Sequence, residues 1–472
     1  MTPLERGARR GLATALLPFS MLFPVVALGA QAAPAARPAP DRLAALEHVE
    51  LNGSGSLWVA LGGQLRERIE SWSSFNFGAL PPTPSDVQAS DAFALTRVLA
   101  SGDLHAGSHL RIYVQGKSSL ASARELAGGR RVSDVDELDV HQLYAELRTS
   151  PLRHGGVLAL KGGRFEMGYG RERLVSALDW ANTKRNFEGV TASYAAPAGK
   201  VSVFVTRPVV VRRYDADRRD ATTTLFGLYS SAQSARLAIG GDLYWIGQQR
   251  DSEVTNWNGT VGRESRHTVG ARLWGPTRAQ AAVDLEGEFA LQFGTVGTSD
   301  IRARMFAGQA GYTFRQLRLT PRLYANVDYA SGDEVAGGDV GTFSQLNPTP
   351  HAFLGFADIA GRQNIVDLSG GATAKVWRSV VGAADYHVLR RASAADAFYA
   401  LNGAVARRPS FGTAKDIGSS VDLTLRWPVD RHLLLLTGWS HVLPGRFIEQ
   451  GGRASGADKP IGFSYLSAQY TL

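Results

Sequence analysis

The residues best equipped for chemistry crowd between Lys161 and Gly189, where the chain reads KGGRFEMGYGRERLVSALDWANTKRNFEG. Glu166 with Glu172, or Glu172 with Asp179, has the composition of a paired general acid and base. The same stretch carries Arg164, Arg171, Arg173 and Arg185, and carboxylates set among arginines are more often ion-pair partners than catalysts. His105, His109, His141, His387 and His441 belong to no nucleophile motif and lie at no metal-ligand spacing. The chain has no cysteine, which excludes thiolate metal centres, disulfides and a cysteine nucleophile. Charge recognition by an ion-paired loop is the chemistry on offer, and it calls for no catalytic residue, metal or cofactor.

The elements that position this stretch are walls on either side of it. In residues 283–293, Val283, Leu285, Phe289, Leu291 and Phe293 share one face and Asp284, Glu286, Glu288 and Gln292 the other, which is the two-residue period of a strand. Val421, Leu423, Leu425 and Trp427 oppose Asp422, Thr424 and Arg426 in the same way, and Leu110, Ile112 and Val114 oppose Arg111, Tyr113 and Gln115. The pattern predicts eighteen strands, starting near Leu57, Phe93, Ser108, Val140, Val157, Gly189, Val201, Thr222, Arg236, His267, Ala282, Ile301, Leu319, Asn364, Ser379, Ser419, His432 and Gly462. Tight connections at Ser150-Pro151, Ala198-Gly199, Thr298-Ser299 and Pro428 to Arg431 contrast with long polar ones at Ser119 to Asp139, Arg207 to Ala221, Gln249 to Ser265, Gly332 to Arg362 and Ala392 to Gly418.

Export is written into the N-terminus. Arg6, Arg9 and Arg10 precede an apolar run over residues 11–30, and Ala30-Gln31-Ala32 supplies small residues for cleavage. Residues 1–32 read as a signal peptide, 33–55 as a short periplasmic segment and 56–472 as a membrane domain. Cleavage removes three arginines and one glutamate, lowering the net charge from +8 to +6. Beyond the signal, the strongest apolar run, Leu433 to Leu436, is too short for a spanning helix. The fold class is therefore all-β, a transmembrane antiparallel β-barrel of about eighteen strands after a cleaved signal peptide, because closure satisfies every backbone hydrogen bond in lipid. Trp58, Trp245, Trp274, Trp377, Trp427, Trp439, Tyr244, Tyr329 and Tyr470 near strand ends form the expected interfacial girdle.

A barrel of that size has a lumen too wide for side chains to fill. Alternation turns Arg66, Arg97, Arg111, Arg148, Lys161 and Arg426 inward, along with Arg68, Lys117, Glu70, Glu146, Asp284, Glu286, Glu288, Asp328, Asp367 and Asp385. These form either cross-strand ion-pair ladders or a basic constriction that draws an anionic solute into a low-dielectric wall. Strict alternation would aim Arg164 at lipid, a cost of about 2–4 kcal/mol near mid-membrane. The expectation is thus a bulge at Gly162-Gly163 or a strand that has already left the membrane. Beyond it, Glu166, Arg171, Arg173, Asp179 and Arg185 are expected to form an ion-paired gate at the mouth.

Residues Gly163 to Val190, GRFEMGYGRERLVSALDWANTKRNFEGV, resemble the Gly-Arg, Gly-x-x-Arg-Leu and Asp-Trp signature of the alginate export family of outer-membrane barrels. His351-Ala-Phe-Leu-Gly355 with Asp358 looks like its histidine-glycine loop. Ile417 to Leu425, Trp439 and Leu443-Pro-Gly-Arg-Phe447 are similar to its closing strands, so the resemblance runs from about Leu57 to the C-terminus. It implies an eighteen-stranded barrel with an arginine-rich constriction, partly closed by loops, through which a polyuronate leaves the cell. The family's basic lumen positions fall on Arg66, Arg97, Lys161, Arg164 and Arg362. Where the family carries arginines in its penultimate strand, this chain reads His432-Leu-Leu-Leu-Leu-Thr437, so part of that ring is absent.

The leading expectation is an outer-membrane channel for passive passage of an anionic solute, with export of an acidic polysaccharide such as alginate favoured. Its partners would be that polymer, outer-membrane lipid and periplasmic export machinery, with the barrel monomeric. The basic residues are dispersed along strands, which argues against nucleic acid. A general or anion-selective diffusion porin for small solutes and an outer-membrane hydrolase are the alternatives.

Overall fold

The computed structural model describes residues 41, 43–80, 87–152, 155–256, 258–278, 281–335 and 337–472. The expected signal peptide, and residues 33–40 after it, lie outside the described residues. Eighteen long strands follow one another round a single closed sheet. The first nine are β1 (Leu57–Ser73), β2 (Asp91–Ala106), β3 (Leu110–Ala121), β4 (Asp136–Arg148), β5 (Val157–Phe165), β6 (Phe187–Ala196), β7 (Gly199–Val210), β8 (Thr223–Ser234) and β9 (Ile239–Thr255). The circuit is completed by β10 (Val261–Gly275), β11 (Val283–Val296), β12 (Ser299–Thr313), β13 (Arg322–Ala330), β14 (Ile365–Trp377), β15 (Val380–Arg390), β16 (Asp416–Pro428), β17 (Leu433–Pro444) and β18 (Ile461–Thr471). Neighbours pair antiparallel, and the ladder from Gln64 opposite Thr471 to Ser73 opposite Gly462 closes β1 on β18. Each expected strand is present. The largest displacement is at β10, which begins at Val261, six residues before His267.

The apolar face looks outward. Phe289, Leu291 and Phe293 are 45%, 47% and 49% exposed, whereas Glu288 and Gln292 between them are 5% and 2% exposed. Such an inverted surface is stable only in lipid, where exposed apolar side chains meet hydrocarbon and every strand has two partners. The protein is an outer-membrane β-barrel.

Both described chain ends share a rim with the tight turns at 107–109, 197–198 and 378–379. On this periplasmic rim, a short turn over Ala44–Glu47 and a two-residue strand, Val49–Glu50, lie against β1 at Val59 and Trp58. Glu47 accepts a hydrogen bond from Arg431 at 3.0 Å, in the turn joining β16 to β17. The opposite, extracellular rim carries the described residues 74–80, 87–90, 122–135, 166–186, 211–222, 331–335, 337–364, 391–415 and 445–460 of the connections.

Three expectations need correction. The tight Thr298-Ser299 hairpin stands on the extracellular rim, among the long loops. Most of Gln249 to Ser265 is strand rather than loop, with β9 and β10 paired out to Thr255 opposite Val261 beyond a bulge after Arg250. Above the bilayer both faces of a hairpin are wet, so the alternation that marks a strand is lost there. Trp58, Trp274 and Tyr244 also leave the girdle: Trp58 stacks on His105 at 3.9 Å, Trp274 lies on the inward parity 4.2 Å under the Arg272 guanidinium, and Tyr244 turns into the lumen and donates to Glu288 at 2.8 Å. Trp245, Trp377, Trp439 and Tyr470 do face outward.

Candidate functional site

Two extracellular connections fold down into the barrel, and together they make the constriction. The 166–186 loop joins β5 to β6, and its tip lies against β1–β3. Arg66 of β1 donates to the carbonyls of Asp179 at 2.8 Å and Ala181 at 3.1 Å. Arg97 of β2 donates to the same two carbonyls, at 2.9 and 3.1 Å, and pairs with the Asp179 carboxylate at 2.9 Å. Arg68 caps the Trp180 carbonyl at 2.7 Å and lies 3.9 Å over its ring. Lys117 and Ser119 of β3 hold the carbonyls of Thr183 and Asn182, at 2.7 and 2.9 Å.

Asn182 completes this anchor. Its buried amide lies within hydrogen-bond reach of the carbonyls of Thr96, Leu120 and Asp134, at 3.0, 3.1 and 2.9 Å. Asn182 was not among the candidates drawn from the sequence, although it closes the Asp179-Trp180-Ala181-Asn182 run. An asparagine offers donor and acceptor together, which is what a loop tip needs against strand carbonyls and an arginine.

The other arm of the loop reaches the opposite wall. Arg173 pairs with Glu286 and Glu288 of β11, both at 2.8 Å, and Arg171 with Glu286 at 3.2 Å. The loop therefore crosses the lumen from β1–β3 to β11. The 331–364 loop lies against it: Asn347 N donates to Leu174 O at 2.9 Å, Thr349 N to Glu172 O at 3.0 Å, and His351 stacks on Trp180 at 3.7 Å. Arg185 donates to the Pro348 carbonyl at 3.1 Å and so ties the two loops together. Apolar packing of Leu174, Val175 and Phe343, all buried, accompanies these bonds.

The loop's charges respond to this packing. Burial would raise the Glu166 carboxyl, but Lys184 at 2.6 Å and the His141 donor at 2.8 Å outweigh it and bring it down to about 2. Burial also brings Arg171 and Arg185 down to about 10, with Glu286 opposing for Arg171 and Glu172 for Arg185. Burial raises Glu172, whose carboxylate accepts from Ser176 at 2.8 Å. Glu166 and Asp179 thus share Lys184, Arg171 and Arg173 share Glu286 of the wall, and Arg185 holds backbone carbonyls, so the expected gate residues are bonded to other groups and are docked inside the lumen instead of standing at its mouth.

The remaining candidates separate into distinct settings. Arg66 and Arg97 face inward, yet they are 4% and 0% exposed and hold the loop. Arg362 belongs to the 331–364 loop, buried and paired with Asp328 of β13. Arg111 makes a two-pronged bond to Asp103 at 2.8 and 2.7 Å, and Arg148 pairs with Glu146. Lys161 has no ion pair among the described residues and lies 4.2 Å over Phe165 and 5.1 Å over Tyr144. Arg426 faces inward from β16 with no polar partner among the described residues.

Arg164 stays on the outward parity of β5. The register through Gly162 and Gly163 is unbroken, so the expected bulge is absent. At the extracellular end of the strand its guanidinium meets Glu188 at 2.8 Å, Asp139 at 2.8 Å and the carbonyls of Val140 and Asp217, both at 3.0 Å. Its position at the wall's upper edge, with this full set of partners, removes the lipid penalty. Arg164 therefore joins neither the lumen nor the inward loop. Asp136, Asp139 and Asp217 converge there within 4.8 Å. Lys117, 2.7 Å from Asp136 and 3.9 Å from Asp217, and Arg164, 2.8 Å from Asp139, are the cations set against them.

The closed barrel has counterparts among known folds. Solved outer-membrane proteins of Pseudomonas aeruginosa share the fold. OccK8 (OprE) superposes with a TM-score of 0.55 at 10% identity, covering 88% of this chain and 98% of its own. OpdK with vanillate gives 0.54 at 12%, covering 87% and 98%, and OprD gives 0.53 at 10%, covering 88% and 93%. No curated protein matches the sequence. The model of the alginate export family matches residues 57–460, from the first residue of β1 to the last before β18. The chain belongs to the alginate export family of outer-membrane barrels, and it is a channel.

Proposed function

We propose that this channel passes anions and that its cargo is an acidic polysaccharide of the polyuronate class, moving outward by diffusion as a monomeric barrel fed by periplasmic export machinery. One observation carries the anionic reading. Lys161 at mid-wall stands opposite Glu146 in the β4–β5 register, but Glu146 is taken by Arg148, as Asp103 is by Arg111 and Asp284 by Arg322, so among the described residues Lys161 and, near the periplasmic rim, Arg426 face the lumen with no ion-pair partner. Unmatched cations on a low-dielectric wall attract anions and repel cations. Family membership supports the polymer.

A second reading, a porin for small carboxylates, draws support from the OpdK structure solved with vanillate, itself a carboxylate. Reversal potentials across a planar bilayer under a potassium chloride gradient test the charge selectivity common to both. A shift toward the chloride equilibrium potential is expected, and a shift toward potassium would overturn the reading.

A further inference from the structure

The extracellular end of the β4–β7 wall carries arginines that the lumen does not use. Residues 207–219 read RPVVVRRYDADRR, and Arg130 and Arg131 of the 122–135 loop join them. The contacts make one surface: Arg213 donates to the Arg130 carbonyl, Glu137 N to the Arg213 carbonyl at 3.1 Å, and Asp217 N to Asp139 at 2.5 Å. Asp215 is committed to Arg212, Asp134 to Arg131, and Glu188 and Asp139 to Arg164.

That leaves Arg130, Arg207, Arg213, Arg218 and Arg219 with no ion pair among the described residues, Glu188 opposite Arg207 being taken by Arg164. Arg130 and Arg207 reach only backbone carbonyls, of Ser122 at 3.3 Å and Ala221 at 2.7 Å. Arg218 and Arg219 form a two-residue strand on Val209–Val210, both exposed and with no side-chain partner among the described residues. Exposed apolar residues lie alongside: Leu138 is 78% exposed, Val132 55% and Val210 50%.

Height identifies what this surface meets. At about 3.3 Å per residue and a tilt of about 40°, strands as short as β5 and β6 climb only about 25 Å, the depth of the apolar band itself. Arg207, in register with Glu188 on the outward parity, therefore stands at headgroup level. We propose that the arginine cluster binds the phosphorylated headgroup of an outer-leaflet glycolipid. Guanidinium forks match phosphate oxygens, and the apolar residues beside them lie against acyl chains.

Each arginine near an anionic headgroup strengthens binding about fivefold, so removing three weakens it about a hundredfold. Native mass spectrometry of the full barrel in detergent, with bisphosphorylated and dephosphorylated forms of the outer-leaflet glycolipid as probes, tests this. Wild type should retain the bisphosphorylated form selectively, and Arg207→Ala/Arg218→Ala/Arg219→Ala should lose about a hundredfold while a triple lysine variant keeps most of it. Equal retention of both lipids by wild type overturns the proposal, whatever the variants do. So does undiminished retention by the alanine variant, or binding of soluble polyuronate in place of lipid.

Discussion

The inward loop should loosen when Asn182 is replaced by alanine. The substitution removes the one amide that reaches the carbonyls of Thr96, Leu120 and Asp134, in a site that is 0% exposed. An unpaired buried polar group costs about 1–3 kcal/mol. Arg66 loses its bond to the Asn182 side-chain oxygen but keeps those to loop carbonyls, as do Arg97, Lys117 and Ser119, so a net loss of about 3 kcal/mol follows, raising the undocked population about a hundredfold. The side chain is uncharged, so any change in current reports loop position and not altered selectivity. In single-channel recordings Asn182→Ala should flicker into larger conductance steps at an unchanged reversal potential. Conductance and noise identical to wild type, in a variant that still shows the heat-modifiable migration of a folded barrel, would refute the claim that this amide pins the constriction.

Other outcomes follow from the same geometry. Lys161→Ala combined with Arg426→Ala should lower the anion-to-cation permeability ratio severalfold, whereas Arg66→Ala should act chiefly on gating, because Arg66 already serves loop carbonyls. The Glu166 carboxyl is depressed to about 2, so the stability it lends the loop is fully present above about pH 4.5 and lost only as pH falls through about 2. Bilayer recordings should show no Glu166-dependent gating between pH 7 and pH 5, and Glu166→Gln should abolish any transition seen below about pH 3. Gly163 has a φ of +133°, and a Cβ there would sit 2.3 Å from the Leu143 carbonyl oxygen. Gly163→Ala should therefore strain the β4–β5 seam by about 2–4 kcal/mol and lower the temperature at which the barrel unfolds on a gel.

The wall was legible because alternation is local. Whether Phe289 or Glu288 meets lipid depends only on the two-residue period, and that period held from β1 to β18. Inward parity was legible for the same reason, so Arg66, Arg97, Lys161 and Arg426 all face the lumen. Alternation cannot say what fills the lumen. The groups that occupy Arg66 belong to a loop more than a hundred residues away in sequence, and they are backbone carbonyls, which carry no side-chain signal. The loop itself stood out by composition, but a polar loop at the mouth and one docked inside have the same composition. Arg164 was read from its cost: the lipid penalty required an exception, and the upper edge of β5 with its acidic neighbours provides it.

The central claim, a loop-narrowed anion passage for a polyuronate, is tested most directly by single-channel current with oligouronates of defined length added to the periplasmic side. The proposed function predicts blockades whose duration grows with chain length and shortens in Lys161→Ala/Arg426→Ala, while neutral dextrans of equal size leave the current unaffected. Steady current through millimolar oligouronate, or equal blockade by neutral and acidic chains, would contradict it.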